Sequence, residues 1–209
     1  MTSKKKRQRG DSLVKKAWEH IAGGEGYEAR EVLHKLFDRY AERADRETTL
    51  LFAWSFEVDG RIYKSENWTR SILEKHPDYI EAWELLAHLL AEQEDRLDEL
   101  KETVEHAIEV GADPFSMKRR LGHGYSFNDK YDDAIRIFLK VAQEKPEDPL
   151  SWDNLEHVQC FGKQYGDSLA SRRMKLDLKP DDERAQHWIG MAQGAINARE
   201  KRVGTIGEG

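Results

Sequence analysis

The sequence predicts an all-α chain, an α-α superhelix built from stacked antiparallel helix pairs and closed by a C-terminal capping helix. Three observations carry that prediction. All five prolines lie beyond residue 76, and with Pro149 set aside, Pro77, Pro114, Pro146 and Pro180 follow one another at gaps of 37, 32 and 34 residues. Between them the apolar residues recur at three and four, the spacing of one helical face, and no stretch alternates as a strand would. Small residues also recur at fixed distances from the prolines, as two helices crossing closely would require.

The segment 115–148 sets the register. With Phe115 as position 1, Leu121, Gly122 and Tyr125 fall at 7, 8 and 11, and Ala134, Phe138, Val141 and Pro146 at 20, 24, 27 and 32. Counting from Pro149 puts Trp152 at 4, Leu155 at 7, Ser168 at 20 and Pro180 at 32. Counting from Ile80 puts Trp83, Leu86, Ala87 and Leu90 at 4, 7, 8 and 11. One extra residue in the internal turn then brings Leu100, Val104 and Ala107 to the second-helix positions. Counting from Arg46 puts Phe52, Ala53 and Phe56 at 7, 8 and 11, and Ser65, Ile72 and Pro77 at 20, 27 and 32. Position 8 must be small where the second helix crosses the first; Ala53, Ala87 and Gly122 satisfy this and Glu156 does not. Proline at 32 ends the second helix, because it lacks an N–H and disfavours helix before it.

These residues resemble the tetratricopeptide repeat (TPR) family, whose pattern W-x2-L-G-x2-Y, then A-x3-F-x2-A, then P is met in tandem over roughly residues 46–193. The resemblance implies four repeats, 46–79, 80–114, 115–148 and 149–182. Residues 11–45 read as a degenerate N-terminal helix pair. There Leu13, Val14, Ala17, Trp18 and Ile21 form one stripe, Gly23 to Gly26 a turn, and Ala29, Leu33 and Leu36 the second-helix spacing. Residues 183–199 read as the capping helix and 200–209 as a flexible tail.

Net charge is -6, unevenly spread. The first ten residues carry Lys4, Lys5, Lys6, Arg7 and Arg9 and no acid, leaving -11 on the rest. Residues 1–10 read as a basic disordered arm on an acidic body, which argues against broad phosphate-backbone binding. No apolar run approaches the ~20 residues of a membrane span. The single cysteine, Cys160, leaves no internal disulfide. An intracellular, cytoplasmic location is the expectation. No phosphate loop, HExxH or GxSxG occurs, and Gly122-His123-Gly124 is explained by the helix crossing, so neither enzyme activity nor a cofactor is expected.

In the family, first helices line the concave face with positions 2, 5, 9 and 12. The resemblance therefore implies an inner column of Trp54, His88, His123 and His157 at position 9, with Glu84, Arg119, Asp153 and His187 at position 5. The histidines have three readings: polar filling bonded to Glu84 or Asp153, a partner-binding groove with Trp54, or a metal site of His123, His157 and Asp153. The clamp of Lys, Asn and Arg by which some members hold a chaperone tail is not matched. The remaining tryptophans, Trp18 among them, read as packing residues. The function expected is a non-enzymatic scaffold or adaptor that holds a peptide or helix of a protein partner. Glu47, Glu57, Glu81 and Glu84 would meet its basic end, and Arg119 and Arg184 its acidic end. The alternative is a nucleic-acid-associated protein that docks through Lys4 to Arg9. A homo-oligomer is compatible with either, and a metal ion is required by neither.

Overall fold

The computed structural model describes residues 3–40, 45–183, 186–187 and 189–190. Among them are ten α-helices and no strand. They are α1 (Ser3–Ala22), α2 (Gly26–Arg39), α3 (Arg46–Glu57), α4 (Ile62–Lys75), α5 (Ile80–Ala91), α6 (Leu97–Glu109), α7 (Pro114–Phe127), α8 (Tyr131–Glu144), α9 (Pro149–Phe161) and α10 (Tyr165–Leu178). Helix α1 begins at Ser3, so the basic stretch is drawn as continuous with the first helix. The capping helix and tail expected over 183–209 lie almost wholly outside the described residues.

Four local devices repeat along the chain. Each turn inside a pair reverses through one residue with positive φ: Gly24, Gly60, Asp95, Asp129 and Lys163, at 58–76°. Acidic caps start first helices. Asp45 accepts from the Thr48 N–H at 3.0 Å, and Asp113 from the Ser116 N–H at 3.0 Å. Asp148 accepts from Leu150, with Pro149 pre-set for the first helical turn. Position 4 ties α5 and α9 to the preceding proline turn. Trp83 Nε1 donates to the Pro77 carbonyl and Trp152 Nε1 to the Pro146 carbonyl, each at 2.8 Å, and Gln186 makes the same bond to Pro180. Finally, positions 8 and 24 meet across two of the pairs. In α7 and α8 this is Gly122 under the Phe138 ring. In α9 and α10 it is an ion pair between Glu156 and Arg172, which is why a large acid stands where a small residue was expected.

The chain forms two compact units, one up to Arg120 and one from Leu121. In the first, Val14, Ala17 and Ile21 of α1 pack with Val32, Leu33 and Leu36 of α2 and with Leu51, Phe52 and Phe56 of α3. Leu85, Leu86, Leu89 and Leu90 of α5 and Leu100 and Ala107 of α6 are equally buried. In the second unit the core is Ala134, Ile135, Phe138 and Ala142 of α8 against Leu155 and Val158 of α9.

A polar network joins α4 to α6 in the first unit. The buried Glu66 carboxylate accepts from Gln93 at 2.9 Å, from Arg70 at 2.7 Å and from Arg96 at 3.1 Å. Arg70 and Arg96 also pair with Glu99. Burial alone would push the Glu66 carboxyl up, but the hydrogen bonds from Gln93, Arg70 and Arg96 hold it below the usual carboxylate range. Glu99 behaves alike: burial opposes, and Arg96 and Arg70 prevail. A carboxyl depressed in the folded state stabilises the fold above its unfolded value, ordinarily 4.5, and that contribution disappears as pH falls through the folded value. The melting temperature is therefore expected to drop steeply below about pH 4.5. Glu66→Gln should flatten that part of the profile, and an unchanged slope in a melting series from pH 7 to pH 3 would count against the network.

Candidate functional site

In the first unit, the first helices of successive pairs, α1, α3 and α5, are neighbours. The N-terminal half of α7, as far as Arg120, completes this face. A cavity of about 250 Å³ opens on it. Its apolar walls are Trp18 of α1, Leu50 and Trp54 of α3 and Met117 of α7; its polar lining is Glu81 and Glu84 of α5 with Ser116 and Arg120 of α7. Trp18 is 45% exposed, so its ring is not packing filler.

Behind the cavity the side chains form a chain of contacts one repeat apart. Trp54 stacks on the His88 imidazole, centroids 5.9 Å apart. Arg120 Nη1 lies 2.9 Å from His88 Nδ1, and His88 Nε2 lies 3.1 Å from Glu57 Oε1. A guanidinium only donates, so Nδ1 accepts and Nε2 carries the hydrogen that it donates to Glu57. Glu57 thus fixes the imidazole, and the imidazole fixes Arg120. Arg120 is strongly desolvated: burial, then the neighbouring Arg119 charge, lower its proton affinity against the pull of Glu92, Glu84 and Glu57. Burial, then repulsion from Glu81, push the Glu84 carboxyl up, with Arg120 opposing. Among the described residues, no opposite charge lies within ion-pair distance of Glu81, Glu84 or Arg120.

A second hollow in the first unit, about 490 Å³, lies between α4, α5 and α6 and is lined by Trp83, His106, Leu73, Arg70 and Glu99 among others. Its central charges already serve one another, since Arg70 is paired with Glu99 and Glu66. The smaller cavity is the one whose charges lack such partners, and it is the candidate site.

Of the eight residues expected on the inner face, Trp54 and Glu84 line this cavity and His88 stands behind it. Arg119 instead lies over the Phe115 ring at 5.4 Å, and its neighbour Arg120 takes the cavity position. In the second unit His123 is exposed and meets the Phe138 ring edge-on at 5.1 Å. His157 is exposed and edge-on to Phe161 at 4.8 Å, and His187 is exposed. Asp153 pairs with Lys175 at 2.5 Å. Of the carboxylates in the polar-filling reading, Asp153 is paired with a lysine, and the carboxylate that His88 bonds is Glu57. The Cys160 thiol contacts Ser168 Oγ at 2.9 Å. Among the described residues no group of three His, Cys, Asp or Glu is placed to hold a metal ion. No described helix is long and apolar enough to cross a membrane.

Antiparallel helix pairs with a small residue at the crossing, a left-handed turn residue and a proline stop define a helical-repeat fold of the tetratricopeptide type. Solved structures agree on the fold. A thermophilic TPR protein of Thermus thermophilus, TTC0263, is 14% identical with a TM-score of 0.68, over 88% of this chain and 98% of that one. The nearly identical TPR-like repeats of a putative kinesin light chain of Podosopora anserina are 15% identical with a TM-score of 0.66, over 88% and 100%. MamA of Desulfovibrio magneticus RS-1 is 13% identical with a TM-score of 0.63, over 83% and 97%. No protein-family model and no curated protein sequence matches the chain.

Proposed function

We propose that this chain is a non-catalytic interaction protein that holds a peptide or helix of a protein partner on the face of its first helices. The fold is of a kind that typically serves protein–protein interaction, because stacked pairs expose a continuous run of side chains from many turns of chain. The cavity beside Trp54 is the observation that carries the reading. Large aromatic walls supply binding area at little entropic cost, and unpartnered charges supply selectivity. Its volume falls below the ~300–1,000 Å³ usual for small-molecule sites, which suits the ends of side chains better than a cofactor. For the nucleic-acid alternative, Glu81 and Glu84 on this face repel a phosphate backbone, and only Lys4 to Arg9 favour it.

A display selection of dodecapeptides on the immobilised protein tests this. Binding of the selected peptides is expected to fall about tenfold or more on Trp54→Ala, with unchanged helical circular dichroism. Peptides bound equally by both proteins would place recognition elsewhere.

A further inference from the structure

We propose that the cavity takes two neighbouring, oppositely charged side chains of the partner peptide: a Lys or Arg against Glu81 and Glu84, and an Asp or Glu against Arg120. This rests on the interaction reading above and adds the chemistry of the partner.

The argument begins with what the empty cavity leaves unmet. Arg120 is desolvated, yet its one hydrogen-bonding partner among the described residues is the neutral His88 ring. A guanidinium has five donors, so most remain for an acceptor that arrives from outside. Glu84 is half-buried, and its carboxyl is raised by burial and by Glu81 with no cation in ion-pair range. Both signs thus stand on one small surface without satisfying each other. A purely apolar ligand would strip water from both and pair neither, which opposes binding. A lone anion would sit beside two carboxylates. A lone cation would leave the guanidinium unanswered. Only a ligand that brings both signs offsets both desolvations.

Geometry supports the same occupant. Arg120 is held by His88, which is held by Glu57, so the guanidinium is in place before anything binds. Preorganisation of this kind lowers the cost of association. Trp18 and Trp54 wall the cavity, and their ring faces attract an arriving ammonium or guanidinium. The wall residues set the site apart from a carboxylate clamp, which would need several cations; here acids outnumber the single arginine.

The test uses the full chain and the dodecapeptides selected above. Peptides that lose binding on Trp54→Ala are expected to carry a basic and an acidic residue within one or two positions of each other. Changing the basic residue to Gln should weaken binding to the wild type roughly tenfold and have little effect on Glu84→Gln. Changing the acidic residue to Gln or Asn should do the same on the wild type and little on Arg120→Gln. Melting temperatures of both variants control for folding. Trp54-dependent peptides that ignore both substitutions would overturn this inference and leave the interaction reading intact. Peptides indifferent to Trp54→Ala would overturn this inference and place recognition elsewhere, and no selected peptide at all would overturn the interaction reading itself.

Discussion

Replacing Gly122 by leucine is expected to destabilise the second unit by about 3 kcal/mol, the upper range for overpacking a rigid core. A Cβ on Gly122 would lie 2.8 Å from Phe138 Cζ and 3.0 Å from both Cε atoms. Phe138 is 1% exposed and wedged among Ala134, Ala142, Leu155 and Val158, so the ring has nowhere to retreat. Alanine is the milder case. It gains about 1 kcal/mol of helix propensity over glycine but still presses on the ring, and a net loss of about 1–2 kcal/mol is expected. The cause can be isolated by a second change. Phe138→Leu alone opens space and costs stability, but in the Gly122→Ala background it should cost much less, because the methyl fills what the ring vacates. Urea unfolding of the four proteins measures the coupling. An unchanged midpoint for Gly122→Leu, or strictly additive effects, would show that the two helices do not cross at this residue.

The close crossing at Gly122 was legible in the sequence because repeat architecture makes a local code. The prolines and the small residues at positions 8 and 20 recur at fixed offsets, so register could be read without long-range information; that the Phe138 ring at position 24 is what meets Gly122 was not. Where the code is kept by different chemistry it was not legible. Glu156 looked like an exception until Arg172, 16 residues on, was seen to replace the Gly122–Phe138 contact by an ion pair. The left-handed turn residue is a glycine in the first two pairs but Asp95, Asp129 and Lys163 later, so no residue type marks it. The candidate site was legible in outline only. Leu50, Trp54, Glu81, Glu84 and Ser116 occupy inner positions of a uniform register and do meet at one cavity. Arg120 replaces Arg119 because one residue along a helix turns the side chain by about 100°. A uniform register across α5 and α7 was too coarse for that. Trp18 was missed because α1 fits the repeat poorly and offered no register. The polar-filling reading placed the histidines' partners at Glu84 or Asp153, whereas those of His88, Glu57 and Arg120, stand 31 and 32 residues away, one repeat in each direction. Side chains one repeat apart are spatial neighbours in such a fold, and that is the spacing at which partners should be sought.

The junction of α2 with α3 shows the same limit and sets the second large effect. In the sequence Gly26 closes a glycine-rich turn. In the structure it is the first residue of α2 and buried, with ordinary backbone, so the requirement there is space. A Cβ at this point would fall well inside contact distance of the Ser55 carbonyl oxygen and 2.5 Å from Asp59 Oδ1. Backbone at the end of α3 cannot give way as a side chain can, so Gly26→Ala is expected to cost about 3 kcal/mol despite better helix propensity. Arg30, one turn along, fastens the same place. Its guanidinium donates to the Ser55 carbonyl at 2.5 Å and to Asp59, and lies over the Phe56 ring at 4.6 Å. A cation on a C-terminal carbonyl of α3 answers both an orphan acceptor and the negative end of the helix. Arg30→Ala is expected to cost about 2–3 kcal/mol, below the full figure for a broken buried pair because Asp59 keeps some contact with water. Both substitutions loosen one junction, so the double variant should lose less than the sum of the two. The loss should not stay at α2. Each pair rests on its neighbour, and α1 carries Trp18 onto the cavity, so hydrogen exchange should quicken through α1, α2 and α3 together. If exchange quickens in α2 alone, the first pair is an appendage rather than a member of the stack. In that case peptide binding should survive Gly26→Ala, whereas a first pair integral to the stack predicts that binding weakens with it.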